Sequence, residues 1–182
     1  MPLYGAAAEY AMHTVLNLAL VAEGSAPSAR DLAEFQRLPV AFMRKLLTRL
    51  EKSGIVAASE GIRGGWRLTR APVAISLLDL ADAAQGREKL FVCREIRAHC
   101  ALWPEGTVRP SATRGICAIH AAMLAAEAAM RRELAGQSLG GIIDELRAQN
   151  PAFTGQALPA WFACRIATRR PTDPPEPEAD ER

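Results

Sequence analysis

Residues 28–70, SARDLAEFQRLPVAFMRKLLTRLEKSGIVAASEGIRGGWRLTR, decide the fold. Ser28 and Asp31 give the pattern S-x-x-D, in which a hydroxyl and a carboxylate satisfy the first free amides of a helix, here Ala29 to Gln36. Leu38-Pro39 then breaks the chain. Pro39, whose missing amide is harmless in a first turn, starts a second helix that runs to Ser53 and stops at Gly54. Phe42, Met43, Leu46, Leu47 and Leu50 share one face of that helix, and Ala41, Arg44, Lys45, Thr48 and Lys52 share the other. Two helices across a short turn, the second cationic on its outer face, predict a helix-turn-helix. Two β-prone runs follow, Ile55 to Ser59 and Trp66 to Thr69, around Gly61, Gly64 and Gly65. Glycines at that density supply the positive φ of a tight hairpin, with Arg63 at its tip. A hairpin placed there is a wing, and an arginine on it suits a minor groove.

The charge distribution supports DNA as the partner. Net charge is only +2, but residues 37–70 hold eight Lys/Arg against two acids. The expected DNA contacts are Ser28, Ala41, Arg44, Lys45, Thr48, Arg49, Lys52, Arg63, Gly64 and Gly65. A solvated basic face is the bland reading of one such helix. Helix, turn, helix and wing in series favour phosphate contact, because the charges gather on the elements that would touch it.

Working outward, Ala6 to Ala22 reads as a helix with a broad apolar stripe at Tyr10, Val15, Leu16, Leu18, Ala19 and Ala22, stopped near Gly24. Glu9 and His13 share its less apolar side, where a surface ion pair is the ordinary reading. On the other flank, Ser76 and Asp79 repeat S-x-x-D before a helix from Leu77 to Ala84. Next comes the stretch from Cys93 to His120, CREIRAHCALWPEGTVRPSATRGICAIH, with three of the four cysteines. Cys117 and His120 open a helix to about Leu134 and lie one turn apart on it. Three thiols and an imidazole so gathered can hold zinc or an iron–sulfur cluster. The alanine-rich helix is apolar on several sides and needs more than one partner, which predicts a homodimer. A two-fold dimer implies a palindromic operator on double-stranded DNA. Ser138 caps a last short helix, Leu139 to Ala148, and residues 171–182, PTDPPEPEADER, read as a disordered acidic tail. ALPAWFACRIATRR, between them, docks weakly or not at all on this reading, and Cys164 is isolated.

The division expected is a winged helix-turn-helix domain over 1–86, a cluster-binding loop over 87–116, a dimerisation helix with a short helix over 117–150, and a flexible tail over 151–182. The fold class is mainly α with a small hairpin. No membrane span is expected because no window reaches the ~18 apolar residues one needs. A basic n-region before an apolar core is absent, which predicts a cytoplasmic protein with reduced thiols. Catalysis is not expected: the sequence shows no Gly-rich phosphate loop and no nucleophile and base pair.

These residues resemble a family. EYAMHTVLNLA, the stretch from Ser28 to Pro72 and ISLLDLADAAQG, with L-x-K-S-G-I-V, G-x-R-G-G-W-x-L and a cysteine cluster past residue 90, are similar to the bacterial Rrf-type winged-helix regulators, the IscR/NsrR/RirA group. The resemblance covers residues 9–148 and implies a dimeric repressor or activator governed by an iron–sulfur cluster, [2Fe-2S] in preference to [4Fe-4S]. It implies Cys93, Cys100 and Cys117 as ligands. The fourth ligand is His120 of the same chain, or Glu9 or His13 of the partner subunit. Sixteen residues separate Cys100 from Cys117, more than in familiar members. A zinc-stabilised protein, or a thiol-redox switch without metal, is the alternative.

Overall fold

A computed structural model describes residues 3–59, 64–87, 89–101, 103, 111 and 113–168. The elements in order are α1 (Ala6–Leu20), α2 (Ala29–Gln36), α3 (Val40–Lys52), β1 (Val56–Ser59), β2 (Gly65–Leu68), α4 (Leu77–Gln85), α5 (Ala118–Gly136), α6 (Leu139–Gln149) and α7 (Leu158–Thr168). Short 3-10 turns occupy Pro72–Ala74 and Ile96–Ala98, and a π turn, Phe153–Ala157, leads into α7. The class is as predicted, mainly α with a two-stranded antiparallel hairpin.

Local chemistry sets the helix ends. Capping boxes at Ser28/Asp31 and Ser76/Asp79 start α2 and α4. The α2–α3 turn is made by Arg37 in the left-handed region, with the Leu38 amide donating to the Ala33 carbonyl at 2.8 Å and the Arg37 amide to Glu34 at 3.1 Å. Gly54 repeats this at the end of α3, where the Ile55 amide reaches the Leu50 carbonyl at 3.0 Å. Both are Schellman endings, which satisfy carbonyls a helix would leave bare. Pro39 stands at the N-cap of α3 rather than inside its first turn. α1 stops at Leu20, so Ala22 is exposed and outside the predicted stripe.

One core joins these elements. Ala11, Val15, Leu32, Met43, Leu47, Leu50, Leu80 and Ala84 are all fully buried in it. Gln85 pins the N-terminus to the end of α4, accepting from the Gly5 amide at 3.0 Å and donating to the Leu3 carbonyl at 2.7 Å. The hairpin registers Val56 with Leu68 and Ser59 with Gly65, and the Trp66 amide donates to the Pro27 carbonyl at 2.9 Å. A methyl on Gly65 would collide with the Ala26 and Pro27 backbone, so only glycine lets the wing sit this close to the α1–α2 loop.

The tail reading is corrected over 151–168. Leu158 and Phe162 are buried in the shared core, and Phe162 and Trp161 pack on Phe35 of α2 at 4.9 and 5.1 Å between ring centroids. Arg165 pairs with Glu34 of α2 and lies over the Trp161 ring. Eight of the eleven residues of α7 are apolar, but the sequence does not say what they pack on. They dock because Phe35 of α2, remote in sequence, offers a ring to Trp161 and Phe162. Residues 169–182 lie outside the described residues, as does Arg63.

α5 differs from every other helix. Of its nineteen residues only Glu127 is buried. Its inner side meets α4, where Arg131 grips both carboxylate oxygens of Asp82 at 3.0 and 2.6 Å. Asp82 holds the Arg131 guanidinium above its ordinary pKa, chiefly through that hydrogen bond. Ile119 and Leu124 stand 68% and 43% exposed on the rest of it.

Candidate functional site

Two surfaces carry the residues singled out in the sequence. On the first, Ala41, Arg44, Lys45, Thr48 and Lys52 are all exposed on one side of α3. Thr48 returns its hydroxyl proton to the Arg44 carbonyl at 3.0 Å, a bond within the helix. Three of the expected DNA contacts also have structural roles. Arg49 donates to the Ala84 carbonyl at 2.6 Å, so its charge sits on the C-terminal end of α4, where a cation is favoured. The Ser28 hydroxyl accepts from the Asp31 amide at 3.2 Å and donates to the Asp31 carboxylate at 2.8 Å. Gly65 abuts the Ala26–Pro27 backbone, as described, while Gly64 beside it is half-buried. Arg67, one of the eight basic residues over 37–70, is also exposed, on β2 between Trp66 and Leu68.

The second surface is a cavity of about 480 Å³ between the segment 91–103 and the start of α5. Cys93, Cys100, Cys117 and His120 all line it, beside Arg97 and Trp103. The three cysteines are half-buried and unpaired. Cys117 is the N-cap of α5 and places His120 one turn on, facing Phe91 at 6.1 Å between ring centroids. Glu127, further along α5, accepts the Leu90 amide at 3.2 Å and anchors the incoming chain.

Inside the cavity the Glu95 carboxylate takes two bonds from Arg97, at 2.5 and 2.9 Å. The Arg97 hydrogen bond is the main cause that holds the Glu95 carboxyl below its usual range. The same bond, and to a smaller degree the Glu95 charge, raises the Arg97 guanidinium against the cost of its burial.

Glu9 and His13 are not with the cysteines of their own chain. Glu9 is exposed on α1, and His13 lines a separate groove with Leu16, Leu77, Leu139 and Glu145. The donor types present, three thiols and an imidazole about one cavity, suit a thiophilic metal or cluster. Among the described residues no three of His, Cys, Asp and Glu converge on a single ion position. The donors therefore surround a volume rather than a point. No helix among the described residues is long and apolar enough to cross a membrane.

Comparison with known proteins bears on the family and the fold. The family model described as Rrf2, iron-dependent transcriptional regulator, matches residues 4–145. The HTH-type transcriptional repressor NsrR of Streptomyces coelicolor is 30% identical over 122 residues, covering 66% of this chain and 74% of that protein. A Synechocystis protein named as an HTH-type transcriptional regulator, slr0846, is 40% identical over 76 residues, 42% of this chain and 52% of its own length. The chain thus spans about half the length of the first curated relatives it matches. The solved structure of T. potens IscR shares the fold with a TM-score of 0.60 at 17% identity, covering 80% of this chain and 89% of that one.

Proposed function

As this chain belongs to the Rrf2 family of transcriptional regulators, we propose that it is a DNA-binding regulator, acting as a repressor, whose hold on its operator is set by an iron–sulfur cluster at the cysteine cavity. The observation that carries the reading is that Cys93, Cys100, Cys117 and His120, from two separate segments, line one cavity. The thiolates Cys93, Cys100 and Cys117 would hold the cluster, [2Fe-2S] in preference to [4Fe-4S], with His120 in the same first turn of α5 as the candidate fourth ligand. Glu9 and His13 serve only if a partner subunit presents them. When bound, the cluster supplies a centre that answers to iron supply, oxidants or nitric oxide.

The chain's own part is mechanical. The cysteine segment is the link between α4, the last helix of the DNA-binding half, and α5. The exposed apolar side of α5, with Ile119 and Leu124, is where a second copy packs to make a homodimer. Two copies of α3 then meet successive major grooves of a palindromic operator. A change in the link alters their separation, and a difference of roughly 3 kcal/mol changes occupancy more than a hundredfold.

Anaerobic purification with an absorbance spectrum and iron and sulfide counts tests the reading. Cys93→Ala should bleach the visible bands. A variant that stays brown with full iron removes Cys93 from the ligand set, and a colourless, zinc-loaded wild type replaces the cluster with a structural zinc. In gel shifts at moderate salt, Lys45→Ala should weaken operator binding and lower the salt slope by about one charge, leaving metal content unchanged. Unaltered affinity would remove α3 from the DNA interface.

A further inference from the structure

We propose that Arg97 is a positioning residue of the cysteine cavity, its guanidinium and its carbonyl together tying the Cys93–Cys100 turn to the approach of Cys117. The proposal deepens the cluster reading, and its metal-dependent arm rests on that reading.

Three thiols have to be kept near one another by a stretch that, among the described residues, holds no regular structure beyond one 3-10 turn. Arg97 lies in that turn and touches the route to each of them. Its Nε and Nη2 grip the Glu95 carboxylate. Glu95 adopts a left-handed backbone, φ +49, and its amide donates to the Cys93 sulfur at 3.4 Å. A glutamate in that region is disfavoured unless its surroundings over-determine it, and the bidentate grip does so. Nη2 of Arg97 also donates to the Gly115 carbonyl at 3.1 Å, two residues before Cys117. The Arg97 carbonyl, in turn, accepts from the Cys100 thiol at 3.8 Å and from the Trp103 indole at 3.1 Å.

The choice of arginine follows from this geometry. Only a planar fork with several N–H groups can hold a carboxylate with two bonds and a carbonyl with a third, whereas a lysine ammonium is a point charge without that fixed fork. The guanidinium also brings positive charge to a place where thiolates would repel one another. The Arg97 and Glu95 side chains are 29% and 40% exposed, so the pair adds little to global stability. Its effect belongs to local order.

Hydrogen exchange on the metal-free full chain provides the first test. In Arg97→Gln, peptides covering 94–101 should exchange about tenfold faster while α1 to α4 are unchanged. Unchanged exchange in 94–101 overturns the proposal, whatever the metal does. The second test uses anaerobically reconstituted protein. At equal iron and sulfide per chain, Arg97→Gln should lose at least about half of its visible circular dichroism, and release iron to a chelator about 10- to 100-fold faster, the usual effect of removing a group that orients metal ligands. Arg97→Lys should follow Arg97→Gln in both. If Arg97→Lys matches wild type, charge alone matters and the bracing role is overturned. A wild type that takes up no iron and sulfide defeats the cluster reading only, and the exchange experiment still decides the role of Arg97.

Discussion

Between Ser28 and Ile55, one helix begins at a capping box and the next at Pro39, both end in the left-handed region at Arg37 and Gly54, and they bury Leu32, Met43, Leu47 and Leu50 completely. Between Leu90 and Cys117, Val92, Ile96 and Ile116 stand 69%, 69% and 57% exposed, and apart from the Phe91–His120 ring contact the described contacts are mainly hydrogen bonds centred on Arg97 and Glu127. The first region holds itself by apolar burial, which is insensitive to redox state and metal supply. Among its described residues the second relies on hydrogen bonds and an ion pair at part-exposed positions, each of which contributes little to stability.

The contrast can be broken most forcefully at α7. Phe162→Ala removes a fully buried ring from the shared core and should cost about 3–5 kcal/mol in urea unfolding. Cys100→Ala in the metal-free protein should cost under about 1 kcal/mol, as half-buried positions without core packing do. Equal losses would erase the distinction between the regions. Gly65→Ala comes next. Its methyl meets the Ala26 and Pro27 backbone and should destabilise by about 1–3 kcal/mol, with the wing displaced. A neutral result would show that the wing is not seated on the α1–α2 loop. Ser76→Ala removes the α4 cap for about 1 kcal/mol, visible as a lower Tm. Arg131→Ala is the mildest. Its half-buried pair with Asp82 should contribute about 0.2–1 kcal/mol in a double-mutant cycle, sharpening how firmly α5 is fixed to the reader.

Most of the reader was legible from the chain. Ser28 with Asp31, Ser76 with Asp79, and Gly54 are local signals that need no distant partner, and α2 occupies the range its sequence predicts. The same local logic does not show what individual side chains touch. Arg49 looked like one more cation of the recognition helix, but the end of α4 lies within its reach. Gly65 reads in sequence as a source of positive φ, but it has none and marks a close approach of backbones. Trp161 and Phe162 stand in a stretch whose docking the sequence leaves open, because their partner, Phe35, is remote in sequence. At the cavity the cysteines and His120 were visible as types and spacing. The residues that arrange them, Arg97 and Glu127, looked like ordinary surface charges until their partners were in place.

By itself the sequence determined the winged helix-turn-helix and the cationic side of α3, because caps and periodicity are read within a few neighbouring residues. Tertiary structure alone decided that α7 completes the core, that Arg49 serves α4, and that Cys93, Cys100, Cys117 and His120 face one cavity from which Glu9 and His13 of the same chain are absent. Each of those depends on which surfaces the packed helices bring together, and no local pattern encodes a neighbour that arrives from the far end of the chain.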